Sequence, residues 1–264
     1  MDASNAGTAG GGIRRARNKS IKGRDPAIDS HQPMSERENL FRPIHKGLRS
    51  MIFLLGQRMG TTDFTNLEES NDLAKQLRRD LTRSASNCIL CLLQAHSVHE
   101  DKDFFTALRQ FDEGPVKLMA AEHAVIVRRV YEVAKLCDEL TGISDPARRI
   151  EVGDRLTLET NDLFAFYLAH LNNEEALLVP IMWENFSDEQ LRALRAQFYN
   201  TIPLPAFEEW MRWTLPALNV HELVVLLSGM QKDPPPNRFP DAMRLGQETV
   251  RQDRWVEVER RVAG

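Results

Sequence analysis

The sequence predicts an all-α protein, an antiparallel four-helix bundle with additional C-terminal helices. Three observations carry the prediction. Apolar side chains recur at steps of three and four through residues 35–185, no stretch of alternating β-branched residues is long enough for a sheet, and the periodic segments are long and separated by short breaks. With 264 residues and 42% hydrophobic content, the chain can bury a sizeable core.

The first helix shows its inner face as His45, Leu48, Ile52, Leu55 and Met59, and it ends at Gly60 before a Thr61-Thr62-Asp63 turn. A second helix is predicted from about Leu67 to Gln110, closed by a break at Glu113-Gly114-Pro115. The third has the clearest stripe: Val116, Met119, His123, Ile126, Val130, Val133, Cys137 and Leu140 alternate steps of three and four. A fourth runs from about Pro146 to Glu184, after which Ser187-Asp188-Glu189-Gln190 opens a new helix with capping-box spacing. Pro203, Pro205 and Pro216 then punctuate shorter helices, and Pro234-Pro235-Pro236 separates a helix over 220–230 from a last helical stretch over 239–262. Trp183, Trp210, Trp213 and Trp255 all lie at or beyond the end of the fourth helix, which suggests helices packed on the outside of the bundle.

The domain reading is therefore a disordered, basic and Gly-rich tail over residues 1–34, a bundle over 35–185 and a C-terminal helical extension over 186–264. The tail holds six basic residues (Arg14, Arg15, Arg17, Lys19, Lys22 and Arg24) and almost no large apolar side chain. No apolar run approaches the ~18 residues of a membrane span. A net charge of -4 argues against nucleic acid as a partner, since neutralising phosphates needs a basic surplus. Three cysteines are too few and too odd for a disulfide framework, which points to a reducing, cytoplasmic setting. A protein partner, if there is one, would meet the tail or the C-terminal helices.

The histidines carry the chemistry. His45 and His123 occupy apolar positions of their helices, and His96 and His170 sit where Ile89-Leu92-Leu93 and Leu163-Phe166-Tyr167 would place their next core residue. Glu100 follows His96, and Glu174 follows His170, by four residues, so both carboxylates share the inward face. Two uncompensated buried carboxylates would each cost several kcal/mol. Something positive must answer them. Four imidazoles and two carboxylates are N and O donors suited to iron, manganese or zinc. Two divalent cations sharing both carboxylates leave about +2, and a bridging hydroxide about +1, whereas a single tetrahedral zinc would strand at least one charge.

With these residues the chain resembles hemerythrin and the hemerythrin-like domains over roughly Phe41 to Glu184. The resemblance rests on Phe41-Arg42-Pro43-Ile44-His45; on His96-Ser97-Val98-His99-Glu100-Asp101 continuing into Phe104–Leu108; on Ala121-Glu122-His123; and on His170-Leu171-Asn172-Asn173-Glu174-Glu175 continuing into Leu177-Leu178-Val179-Pro180. It implies two iron ions, one held by His45 and His96 and the other by His123 and His170, with Glu100 and Glu174 as bridges. There is a departure. Oxygen-carrying hemerythrins have a further histidine one turn before the third-helix ligand, and Met119 stands at that place. Reversible oxygen carriage is therefore not implied.

Competing patterns are weaker. Cys88 and Cys91 with His96 and His99 imitate a zinc-finger spacing, but Cys88 and His99 would be about 16 Å apart on one helix, so both cysteines read as small buried residues. His99 makes a rival pair with Asp103 and is assigned to the periphery of the site or the surface. Glu122 and Asp101, beside proposed ligands, read as solvated, and Cys137 as an inert core thiol. His221 lacks the second histidine of a zinc-protease helix, and no glutamate stands three residues before any histidine, which disfavours ferritin-like oxidases. The functional expectation is a non-haem di-iron protein binding dioxygen or nitric oxide for sensing, storage or protection. Two alternatives stand beside it: an iron- or oxygen-responsive interaction module whose fold the metal stabilises, and a weak oxidase or peroxidase, for which no acid or base outside the ligand set speaks.

Overall fold

A computed structural model describes residues 37–78, 89–233 and 237–263. The predicted tail and the proline triplet lie outside the described residues. Within them the regular structure is helical throughout: α1 (Arg42–Thr61), α2 (Leu67–Leu77), α3 (Ile89–Lys102), α4 (Phe104–Leu108), α5 (Glu113–Thr141), α6 (Pro146–Asn185), α7 (Asp188–Thr201), α8 (Leu204–Ala217), α9 (Val220–Gln231), α10 (Phe239–Thr249) and α11 (Gln252–Val262). No helix among the described residues is long and apolar enough to cross a membrane.

The apolar stripes read from the sequence are the buried faces. On α1, Leu48, Ile52, Leu55 and Met59 are buried, and on α5 so is every member of the eight-residue stripe from Val116 to Leu140. Each fully buried Leu, Ile or Val is worth about 1.5–3 kcal/mol, so these faces hold the helices together. α5 and α6, joined by residues 142–145, pack along each other, α1 lies against α6, and α2 and α3 lie against α5. Asp145 caps α6 by accepting from the Ala147 N–H, and the Ser187 and Gln190 capping box opens α7.

Three boundaries differ from the sequence reading. The second helix is not continuous: Arg78 ends α2 in an extended conformation, and a turn at Asp103 separates α3 from α4. Phe104 and Phe105, which open α4 after the turn, are both buried. Glu113-Gly114-Pro115 is no break but the first turn of α5, where Asp112 accepts from the Gly114 N–H. A proline there removes an N–H that the first turn leaves unpaired in any case. The last stretch bends at Val250, so that Trp255 of α11 folds back onto Gly246 of α10.

The C-terminal helices pack on the bundle. α8 lies along α1, and the approach is close: a Cβ at Gly47 would stand 3.0 Å from the Thr214 backbone. Further out, α10 packs on α8, and α11 on α9. One buried ion cluster ties this layer to the chain before α1: Arg195 of α7 pairs with Glu38 and with Asp233, the latter at 3.0 Å.

The buried apolar residues form two clusters. One gathers Leu48, Ile52, Ile126, Val130, Leu163 and Tyr167 in the bundle, and the other gathers Phe41, Phe105, Met119, Leu178 and the C-terminal helices. Between them runs a polar belt, where the site is found.

Candidate metal centre

In every long helix of the bundle a histidine stands at the junction of the two apolar clusters. His45 falls between Phe41 and Leu48, His96 between Leu93 and Phe104, His123 between Met119 and Ile126, and His170 between Tyr167 and Leu178. Helical periodicity carries all four rings inward, and Glu100 and Glu174 follow one turn after His96 and His170 on the same faces. All six side chains are at least 98% buried.

The structure brings together all six residues singled out in the sequence. Their donor atoms fall into two groups, His45 with His96, and His123 with His170. Each group is completed by Glu100 and Glu174, and its atoms lie within 4.8 Å of one another. Glu174 Oε2 lies 3.4 Å from His45 Nε2 and 3.3 Å from His170 Nε2, while its Oε1 lies 3.3 Å from His123 Nε2. Glu100 Oε2 lies 3.3 Å from His96 Nε2 and 3.6 Å from His123 Nε2.

These are contacts without hydrogen bonds. All four Nε2 atoms and all four carboxylate oxygens are buried with no hydrogen-bond partner. Eight orphaned donors in one place would be a heavy penalty for a purely structural core, because each unsatisfied buried polar atom costs about 1–3 kcal/mol. Two cations sharing the carboxylates would satisfy all eight. The donor set therefore fits a pair of metal ions, and N and O donors suit iron, manganese or zinc.

The outer nitrogens of three rings are held by carboxylates. His45 Nδ1 lies 3.0 Å from Glu175 Oε1, His123 Nδ1 lies 3.0 Å from Asp101 Oδ1, and His170 Nδ1 lies 2.8 Å from Glu122 Oε2. Asp101 and Glu122, read from the sequence as solvated, are thus partners of ligand-set histidines. Glu175 was not singled out at all. Each is a sequence neighbour of a centre residue yet serves a histidine of another helix: Asp101 of α3 holds His123 of α5, Glu122 of α5 holds His170 of α6, and Glu175 of α6 holds His45 of α1. Such a carboxylate fixes the tautomer, leaving Nε2 free to ligate, and raises the basicity of the ring. Among the described residues His96 has no carboxylate at Nδ1 within salt-bridge reach; its ring instead faces Trp210 and Tyr167, at centroid distances of 5.9 and 6.3 Å.

Protons also take part in the charge balance. Burial works against a charge on His45, but Glu100, Glu174 and Glu175 around it prevail and raise its pKa to about 10. Burial and the charge of Glu174 push Glu100 up to about 8. Burial opposes ionisation of Glu174 too, yet its contacts with His123, His170 and His45 hold it well below the ordinary carboxylate range. At neutral pH a cation entering the site therefore displaces protons from His45 and Glu100.

The other candidates fall elsewhere. His99 is half-buried and lies edge-on to Phe198 and Trp210, so it belongs to the contact between α3 and the C-terminal helices. Cys137 is buried, and burial pushes its thiol up to about 12, which leaves it inert. His221 is exposed. His31, Cys88 and the Cys91 side chain lie outside the described residues. Met119 is fully buried one turn before His123 and offers no nitrogen there.

Comparison with known proteins agrees with this geometry. The model of the hemerythrin HHE cation binding domain matches residues 38–182. Two curated relatives are both zinc finger proteins described as BRUTUS-like, from Arabidopsis thaliana. One is 26% identical over 69% of this chain and the other 25% identical over 73%. The chain spans 14% and 15% of the length of these relatives. No solved structure matches it.

Proposed function

The chain belongs to the hemerythrin HHE cation-binding domain family and is a metal-binding, hemerythrin-like protein, and from that premise we propose that it holds two iron ions and uses them to bind dioxygen or nitric oxide, in sensing, storage or protection. His45 and His96 would hold one ion and His123 and His170 the other, with Glu100 and Glu174 shared. When bound, a ferrous pair supplies electrons and an open position to a diatomic molecule. The observation that carries the reading is the set of eight buried, unpartnered donor atoms, divided into two groups that share both carboxylates.

The chain's own residues do the rest. Asp101, Glu122 and Glu175 orient three of the rings, and the apolar layers on either side, with Phe105 stacked on His123 at 5.2 Å, keep bulk water away. Met119 supplies no donor near His123, which supports a role other than reversible oxygen carriage. The test is an optical titration of the anaerobically loaded ferrous protein with dioxygen and, separately, nitric oxide. A saturable spectral change with either gas supports the reading, and unchanged spectra with both contradict it.

A second reading, a metal-stabilised interaction module, is favoured by one observation: in both relatives the matched region is a small part of a much longer protein. Metal that binds only the folded chain adds stability by mass action and so can report iron level. Under this reading chelation makes the C-terminal helices protease-sensitive, and identical digestion with and without iron argues against it.

A further inference from the structure

The two groups of donors share both carboxylates, so a difference between them has to lie in the rings. All four rings are buried alike, and what sets them apart is the support behind each Nδ1. In the His123–His170 half both rings are backed by a carboxylate: Asp101 Oδ1 lies 3.0 Å from His123 Nδ1, and Glu122 Oε2 lies 2.8 Å from His170 Nδ1. Among the described residues neither carboxylate pairs with a lysine or arginine; the other oxygen of Glu122 accepts from the neutral Asn173 amide at 3.2 Å. Their charge is therefore given to the rings undivided.

The His45–His96 half is supported less. Glu175 Oε1, 3.0 Å from His45 Nδ1, also accepts from the Arg49 guanidinium at 2.8 Å, and Glu175 Oε2 lies 3.9 Å from Arg42 Nε. That carboxylate divides its charge between one ring and two cations. His96 has no carboxylate at Nδ1 among the described residues and packs against Trp210 instead. A carboxylate behind an imidazole orients the ring and makes it a stronger donor, and loss of one such partner typically weakens metal binding about 10–100-fold. Both poorly supported rings fall in the same half, so the deficits accumulate there rather than balance across the pair.

We propose that the two halves of the centre fill in order, the His123–His170 half first and the His45–His96 half about 10–100-fold more weakly. The proposal rests on the two-ion reading given above and adds a regulation to it: between the two affinities the first ion is held while occupancy of the second follows the free metal concentration. The second half is also the one on which the C-terminal helices press. Trp210 of α8 packs its ring 5.9 Å from that of His96, and the Thr214 backbone meets α1 at Gly47, two residues from His45. Trp210 and Thr214 lie beyond residues 38–182, the part that matches the family model, so this chain's own extension meets the half whose filling varies.

The test titrates the metal-free full chain with zinc, which is redox-inert and suits N and O donors, and follows the Nε2 shifts of the four imidazoles by NMR. At one zinc per chain, His123 and His170 should have moved to their metal-bound positions with His45 and His96 largely unmoved, and the second equivalent should move these. Asp101→Asn combined with Glu122→Gln removes both undivided charges without touching a donor, and should weaken the first step until the two merge. Circular dichroism checks that this variant keeps its helices, and the order of shifts in the unaltered chain decides the matter by itself. Two zinc ions that move all four rings together, or His45 and His96 first, overturn the proposal and leave the two-ion reading standing; so does a first step unchanged in the double variant. A chain that takes up only one zinc at saturation overturns the two-ion reading, and the proposal with it.

Discussion

Glu122 Oε2 lies 2.8 Å from His170 Nδ1, so a carboxylate of α5 sets the ring of a histidine on α6, while its own neighbour His123 turns inward to the centre. The neighbouring pair thus contributes one residue that could hold metal and one that holds a histidine of the other helix. Removing such an outer partner typically lowers metal affinity about 10–100-fold. Glu122→Ala should fall in that range by competition with a metal-binding dye, with unchanged circular dichroism. Glu113→Ala, at the exposed start of α5, should bind metal like the wild type; equal affinity in both variants would show that the contact does not support the centre.

Metal uptake should strengthen with pH. With His45 raised to about 10 and Glu100 to about 8, both hold a proton at pH 7 that a cation must displace. The sign follows: His123, raised by Glu174 and Asp101, adds to these two, so more protons leave per binding event below pH 8 than between 8 and 10, and affinity drops as pH falls. Proton release on metal addition, followed with a pH indicator in weak buffer, should therefore shrink from pH 7 to pH 9. A release that does not change over that range contradicts the assignment.

Gly47 and Gly56 lie on the same helix and should respond oppositely to alanine. A Cβ at Gly47 meets the Thr214 backbone at 3.0 Å, whereas one at Gly56 meets nothing within 4 Å. Gly47→Ala must push α8 off α1 and should cost about 1–3 kcal/mol. Gly56→Ala relieves the helix of a flexible residue and should add about 0.5–1 kcal/mol. Urea unfolding of both variants measures the difference, and equal midpoints would deny the close approach.

Arg195 anchors the C-terminal layer. Arg195→Met leaves Glu38 and Asp233 buried without their counter-charge, which should destabilise the protein by about 3–5 kcal/mol. Thermal unfolding of this variant beside Arg128→Met, which changes an exposed cation of α5 outside the cluster, gives the comparison. A loss no larger than that of Arg128→Met would mean the cluster contributes little.

How far the molecule could be read from its sequence depended on whether a signal was local. The faces of α1 and α5 were legible because three- and four-residue steps report burial directly, and His45 and His123 stand on those steps. Glu100 and Glu174 were legible because a one-turn spacing from a histidine places both on one face. The roles of Asp101, Glu122 and Glu175 were not, since a residue next to an inward one points about 100° aside, toward a helix whose position the sequence does not state. The only available signal was adjacency, a carboxylate beside three of the six centre residues. The turn at Asp103 was hidden because the apolar pattern runs through it, and the start of α5 was hidden because Gly and Pro also mark breaks. A small cavity beside the centre was beyond reach for a different reason: its walls come from α1, α3, α4, α7 and α8 together, and no periodicity within one helix reports that meeting.

Iron analysis tests the central claim most directly. The full chain, loaded anaerobically with ferrous iron and freed of excess metal, should carry two ions per chain, and Glu174→Ala, which removes a carboxylate common to both groups, should lose both to the same wash. A wild-type protein that retains one ion or none, or a Glu174→Ala variant that keeps the full complement, would contradict the account.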